Sequence, residues 1–303
     1  MQVLHRLISF AQKPSPEKSR ALHAHFRSHL EDWGWRVPHH GNDRTAYVIG
    51  LFGTGRWYIN ELMVQNIGKR GKYFRDKFRL HSGPTSMIYS GHGTLKYTSR
   101  GQVSPELTSR ILEAVKAGFA DLIFIYRHPL DSLLTNWVYW RTYIRDGKGI
   151  DGISRAYGTM DELAADLEQN FLEFQGFADG DPGFFALAPG EPFLSFAEFV
   201  EETELYLQSP ALKLRLEDFT FDPLREFSKI VEFMSVDVDS SRLRLARPRA
   251  KPYRYLAVRE KVTRFRGFID GVDAETKARI ERMGYSLGDR TECTSIQSRS
   301  LER

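Results

Sequence analysis

The chain has one cysteine, Cys293, in 303 residues, which leaves no intramolecular disulfide and no cysteine-rich metal site. Its nine histidines show no H-E-x-x-H or comparable spacing, and the adjacent pair His39 and His40 falls on an expected loop, so no metal is expected. No apolar run approaches the ~20 residues of a membrane helix. The first residues also lack the apolar core of a secretory signal, so a cytoplasmic chain with no transmembrane segment is expected. No stripe of lysine and arginine interleaved with aromatics occurs, and the net charge is only +4. That small excess suits an anionic small molecule or an acidic glycan rather than a nucleic acid. No internal repeat is visible.

What the chain does have is two turns, one rich in glycine and one bearing an arginine, each following an apolar strand. Leu122 to Thr135 reads L-I-F-I-Y-R-H-P-L-D-S-L-L-T. Its uncharged start suits an interior parallel strand, and Pro129 with Asp131 suits the opening turn of a helix. Arg127 then stands at a strand's carboxyl end, the edge where open α/β sheets bind ligands, beside a helix N-terminus that favours anions. A phosphate fits that place; simple pairing of Arg127 with Asp131 is the plainer alternative. Upstream, Ala46 to Leu62 reads A-Y-V-I-G-L-F-G-T-G-R-W-Y-I-N-E-L, a short strand, then Gly50, Gly53 and Gly55, then an amphipathic helix. Such a loop aims backbone N–H groups at an anion. The triphosphatase loop G-x-x-x-x-G-K-[ST] is absent, because Arg56 and Trp57 follow Gly55, and this disfavours a triphosphate–magnesium site.

Strands are expected near 47–50, 86–90, 121–126 and 212–216, and helices near 57–66, 105–117 and 224–234. Their alternation predicts an α/β fold with a P-loop-like doubly wound parallel sheet flanked by helices, in a single domain over 1–303. Residues 1–44 read as an N-terminal helical extension. Its basic, histidine-rich start carries Leu4, Leu7, Ile8 and Phe10 on one weak apolar face; a packed helix explains this, and a peripheral membrane contact stays open. Residues 137–195 read as a helical insertion with a glycine- and proline-rich loop between Gly176 and Pro192. The stretch 237–266 is basic and poor in regular pattern, a surface loop or a lid over an anion.

Over roughly residues 45 to 287 the chain resembles sulfotransferases that use 3′-phosphoadenosine 5′-phosphosulfate (PAPS), in particular bacterial, carbohydrate-sulfotransferase-like ones. The family's R-x-P-x-D-x-x-x-S signature, which holds the donor's 3′-phosphate, is matched by Arg127, Pro129, Asp131 and Thr135. Its tyrosine-glutamate-aspartate-leucine segment and following helix are similar to Leu216, Glu217, Asp218, Pro223 and Phe233, with Leu216 in place of the tyrosine. The arginine-lysine-glycine loop that closes over the 3′-phosphate resembles Arg264 to Gly267, which implies a contact from Arg264 or Arg266. Gly53, Thr54, Gly55, Arg56 and Trp57 resemble the 5′-phosphosulfate loop, a basic residue followed by S-G-T-T. Gly53 replaces the basic residue, and Arg56, three positions on, is the candidate to supply its charge. Tyr58 falls where the family often places a tryptophan against adenine. The strand that ends in threonine-histidine-leucine-proline resembles Met87 to His92, which makes His92 the candidate base; His81 and His128 are secondary.

The implied reaction is in-line transfer of a sulfuryl group from PAPS to an acceptor hydroxyl, with no metal required. Arg56 and the loop amides would hold the phosphosulfate, Arg127, Thr135 and an arginine of 264–267 the 3′-phosphate, and His92 would take the acceptor's proton. Trp137, Trp140 and Arg141 open a segment dense in aromatics and arginines, which suits sugar rings bearing acidic groups. A polysaccharide, glycolipid or lipopolysaccharide is therefore the leading acceptor, against the alternative that these aromatics pack a helical surface. A P-loop kinase and a non-catalytic binder of PAPS or an anionic glycan are the competing readings; the second is favoured by the glycine at position 53.

Overall fold

In β1 (Arg44–Gly50) alternate side chains enter opposite faces of the sheet, as a period of two requires. Ala46 and Val48 join one apolar cluster with Ile59, Leu62 and Met63, whereas Tyr47 and Ile49 join another with Ile111, Phe124 and Tyr206. A strand buried on both faces reads as a continuous apolar run, and each such side chain stabilises the fold by roughly 1.5–3 kcal/mol.

The computed structural model describes residues 44–70, 77–80, 85–93, 95–96, 102–103, 105–146, 159–184, 193–239, 241, 243–245, 248 and 253–288. The expected N-terminal extension up to residue 43, His81, Cys293 and the segment 147–158 lie outside them. Along the chain, β1 is followed by α1 (Arg56–Asn66), β2 (Gly68–Arg70), β3 (Lys77–Leu80), β4 (Thr85–Gly93), β5 (Gln102–Val103), α2 (Pro105–Lys116) and β6 (Ala120–Tyr126). Then come α3 (Pro129–Tyr139), continued by a π-helical turn Trp140–Arg145, α4 (Met160–Gln169), α5 (Phe171–Ala178), α6 (Phe196–Leu207) and β7 (Leu212–Arg215). The last helices are α7 (Leu216–Phe221), α8 (Pro223–Phe233), α9 (Arg254–Lys261), α10 (Thr263–Asp270) and α11 (Ala274–Arg282).

The protein is α/β. Its strand order is β2-β3-β4-β1-β6-β7, with β5 beside β4. β4, β1, β6 and β7 are parallel, flanked by helices on both faces. The edge departs from the expected all-parallel sheet, because β2, β3 and β4 pair antiparallel. The chain between β2 and β3 is too short for the crossover a parallel pair needs. The chain leaves β1 toward β4 on one side and then crosses to β6 on the other. The β1/β6 boundary is thus the switch point, where open α/β sheets leave a crevice at the strands' carboxyl ends.

One further expectation needs correction. The basic stretch 237–266 is not irregular throughout: Tyr255, Leu256, Val258, Val262, Phe265 and Ile269 are buried at helical spacing in α9, α10 and the turn between them. Interleaved arginines and lysines hid that face. The helices α4 and α5, within the stretch 137–195, pack into the body of the protein, since Leu163, Leu167, Phe171 and Phe174 share one cluster with α3, α9, α10 and α11. No helix among the described residues is long and apolar enough to cross a membrane.

Candidate active site

The two turns singled out in the sequence meet at the switch point. Gly53 and Gly55 have φ of 79° and 91°, a conformation L side chains rarely adopt. A Cβ on Gly53 would lie 2.8 Å from both Asn136 Oδ1 and the Ser132 carbonyl, and one on Gly55 would lie 2.6 Å from Leu216. The N-terminal turns of α3 therefore press directly on the loop. Any side chain at position 53 would force Asn136 or the Ser132 backbone to shift. Thr54 is buried and turns its hydroxyl inward, donating to the Leu51 carbonyl at 2.7 Å.

Arg127, 2% exposed, joins the two turns. Its Nη1 donates to the Gly53 carbonyl at 3.4 Å and to Thr135 Oγ1 at 2.9 Å. Its Nη2 lies 3.5 Å from Asp131 Oδ2, so the plainer pairing with the helix's first acidic residue is present as well. Asp131 Oδ1 accepts the Tyr255 amide at 3.0 Å, which brings the start of α9 to the same spot. Arg254 is the neighbour this creates. Its pKa is lowered first by burial and then by the charge of Arg127, with Asp131 opposing. Arg254 thus feels both members of the Arg127–Asp131 pair. Tyr253, the N-cap of α9, sits in the left-handed region at φ 57°, a strain of ~1–3 kcal/mol of the kind stored at ligand clamps.

Arg264, Arg266 and Gly267 are placed elsewhere. They lie within α10 rather than on a closing loop. Arg264 faces Glu168 at 4.0 Å, and with Gly267 it lines a cavity of about 660 Å³ together with Phe171, Phe196 and Phe268. Arg254 instead begins α9, next to the Tyr255 amide that binds Asp131.

Arg56 begins α1 and is buried. It reaches the carboxyl end of β4, where Nη1 donates to Ser90 Oγ at 2.8 Å and Nη2 stands 3.3 Å from His92 Nε2. Ser90 and His92 are two apart on a strand, hence on one face, a pairing the sequence reading missed for Ser90. His92 Nδ1 lies 2.8 Å from the Gly50 carbonyl, which can only accept, so Nδ1 carries the proton and Nε2 presents its lone pair to Arg56. Phe52 stacks on the ring at 4.1 Å. Burial, and then the Arg56 charge, hold the imidazole well below its ordinary pKa, leaving it neutral at pH 7. His128 is the contrast. Its Nε2 donates to the Ser286 carbonyl at 3.1 Å, its Nδ1 accepts the Leu130 amide at 3.2 Å, and it stacks on Tyr255 at 4.1 Å. Nδ1 caps α3 and Nε2 ties it to Ser286, so both nitrogens are engaged and it is a structural histidine. Glu217, raised in pKa by burial, accepts the His128 amide at 2.8 Å and the Tyr285 hydroxyl at 3.0 Å.

The aromatics diverge from one another. Trp57 is 43% exposed, with the Arg56 guanidinium 5.6 Å from its ring. Tyr58 packs edge-on against Phe219 at 5.6 Å, within the apolar cluster under α7. Trp137 and Trp140 are 0% and 7% exposed, stacked on each other at 5.6 Å, and Arg141 is bound by Asp166 and Glu173. These three are core residues and leave no face for a sugar ring. Their aromatic and arginine density is the signature of a packed helix with an internal ion cluster. Among the described residues there is no group of three side chains able to hold a metal ion.

No protein-family profile matches the chain, and no curated protein sequence does. Among solved structures it is similar to mouse sulfotransferase SULT7A1 complexed with PAP, at 16% identity and a TM-score of 0.38. That match covers 67% of this chain and 62% of the mouse chain.

Proposed function

We propose that the protein transfers a sulfuryl group from PAPS to the hydroxyl of an acceptor. The observation that carries this reading is Arg127, one buried guanidinium bonded both to the glycine loop after β1 and to Thr135 of the helix after β6. It stands at the switch point, its charge felt at Arg254, and with Pro129, Asp131 and Thr135 it matches the motif that holds the donor's 3′-phosphate in the family the sequence resembles, threonine standing for the motif's serine. In this reading Arg127, Arg254 and Thr135 orient the 3′-phosphate, and the α1 N-terminus and Arg56 face the phosphosulfate. The acceptor oxygen attacks sulfur, the bond from sulfur to the leaving phosphate oxygen breaks, and the acceptor proton passes to His92 Nε2. The products are a sulfate ester and adenosine 3′,5′-bisphosphate. Arg56 has two tasks that exclude each other, since a guanidinium drawn onto the sulfonate leaves Nε2 and so frees the lone pair the proton needs.

For the acceptor we carry a hydroxyl of a polysaccharide, glycolipid or lipopolysaccharide sugar into the test, with exposed Trp57 as the aromatic face in place of the buried Trp137 and Trp140. The first experiment is calorimetric titration with adenosine 3′,5′-bisphosphate against adenosine 5′-monophosphate, ATP, and ATP with magnesium. Selective, metal-independent binding that Arg127→Ala abolishes supports the reading; preference for ATP with magnesium points to a kinase and sinks it. Binding with no sulfate transfer to any glycan, lipid or phenol acceptor leaves the non-catalytic binder.

A further inference from the structure

Glu202, on α6, is fully buried and has no part in the anion pocket. Its two carboxylate oxygens accept consecutive amides, Leu95 N–H and Lys96 N–H, each at 2.7 Å. Those donors lie three and four residues beyond His92. One turn further along α6, the Tyr206 hydroxyl oxygen stands 2.6 Å from where a Cβ on Gly93 would be, and the Tyr206 ring is stacked on Phe124 of β6 at 4.4 Å. Lys96 Nζ adds an ion pair to Glu201 at 2.9 Å. The helix therefore grips the chain at 93, 95 and 96, immediately after the histidine. On the other side of His92, Ser90 and Gly91 are fixed opposite Val48 and Ile49 of β1.

Apolar packing would suffice merely to pin a turn. A carboxylate is costly to bury unless it is fully bonded. Two amides at 2.7 Å supply short, charge-assisted bonds, stiffer than neutral ones. A stiff anchor matters where an error of about 1 Å in a reacting group costs ~100-fold in rate. We propose that Glu202 is the positioning residue for His92: by clamping the strand's exit it keeps the imidazole against the Gly50 carbonyl, and so keeps the base in the tautomer that offers Nε2. This rests on the reading of His92 as the base of a sulfuryl transfer.

The test compares wild type with Glu202→Gln, which keeps the size but leaves one of the two amides facing an NH2 group, and with Glu202→Ala in the presence and absence of formate. Nitrogen-15 spectra of the histidine rings and steady-state kinetics with PAPS are measured on each. The expected results are a His92 tautomer that becomes mixed in Glu202→Gln and a kcat lowered about 10- to 100-fold. The KM for PAPS and the affinity for adenosine 3′,5′-bisphosphate stay unchanged, and formate, not chloride, restores Glu202→Ala. If the His92 spectrum and kcat are untouched, or if kcat falls only as far as in a core variant of equal Tm such as Leu163→Ala, the proposal is overturned. A wild type that turns over no PAPS sinks the sulfotransferase reading, and the His92 spectra then decide the positioning role by themselves. Should Glu202→Gln fail to fold, Glu202→Ala with formate carries the same comparison.

Discussion

Thr135 Oγ1 accepts a hydrogen bond from Arg127 at 2.9 Å and donates its own proton to the Asp131 carbonyl one turn earlier at 2.8 Å. The hydroxyl thus locks the guanidinium to the helix that also provides its counter-charge. Serine in its place keeps both bonds, whereas valine keeps the shape and leaves an N–H of Arg127 without that acceptor, at a cost of about 1–3 kcal/mol.

Arg127→Ala is expected to abolish binding of adenosine 3′,5′-bisphosphate and to destabilise the fold by ~3–5 kcal/mol, because Asp131 is left as a buried carboxylate without its ion-pair partner. Arg127→Lys keeps the charge and loses the fork, so it should fold and bind at least ~10-fold more weakly. Calorimetry and urea denaturation separate the two effects; full affinity in Arg127→Lys would mean that the guanidinium's geometry is not used.

Gly53→Ala is expected to destabilise by about 1–3 kcal/mol and to weaken donor binding, since φ is 79° and the added methyl group meets Asn136 and the Ser132 backbone. Gly267→Ala is the control. Nothing lies within 4 Å of its Cβ position, and it sits inside α10. It should therefore stabilise by ~0.5–1 kcal/mol with donor affinity unchanged. A loss of affinity in Gly267→Ala would bring the α10 segment back into the 3′-phosphate site.

Stability should fall on the acid side of neutrality. Burial takes His128 down to about 4 and His92 well below its ordinary value. The unfolded chain, with histidine near ~6.5, therefore takes up these protons first. The stability they represent is complete above pH ~6.5 and is lost as the pH falls toward 4, on the order of 3 kcal/mol for His128 alone. Glu217, raised in pKa by burial, works in the opposite direction. His128→Gln should flatten the decline in a series of melts between pH 7 and 4.5, and an unchanged slope would assign the loss to other groups. Turnover, for the same reason, should stay level across the neutral range rather than decline near pH 6.5.

Asn60 is 2% exposed, and neither its amide nitrogen nor its oxygen has a hydrogen-bond partner. It lies one helical turn beyond Arg56. Asn60→Leu is expected to raise stability by ~1–3 kcal/mol, since it removes two buried groups that make no bond. Thermal melts decide this, and a lower Tm in Asn60→Leu would contradict it.

The sequence made legible what depends on local pattern. The uncharged run before Arg127 and the glycines at 50, 53 and 55 placed both turns, and strand–helix alternation gave the doubly wound parallel sheet that carries them. Contacts that arise only when distant segments meet were beyond its reach. The start of α9, with Arg254, is brought toward Arg127 because Asp131 accepts the Tyr255 amide across 124 residues of chain, and no spacing rule predicts that. The antiparallel edge was missed because β2 has three residues with no apolar side chain and β3 has four, too few for the K-F-R-L alternation to mark a strand. Trp137, Trp140 and Arg141 were misread for the reverse reason. Composition alone does not tell a binding face from a core when the counter-ions, Asp166 and Glu173, come from two other helices.

The order of synthesis gives the anion pocket a consequence of its own. Asp131 waits for the amide of Tyr255, and His128 waits for the carbonyl of Ser286. A chain emerging from the ribosome can build the central strands and α3 early and still hold an unfinished pocket until residues past 286 are free. The sheet can therefore nucleate well before the molecule is able to recognise a nucleotide, and ligand-protected protease digestion of stalled chains should show protection appearing abruptly, only at the longest lengths.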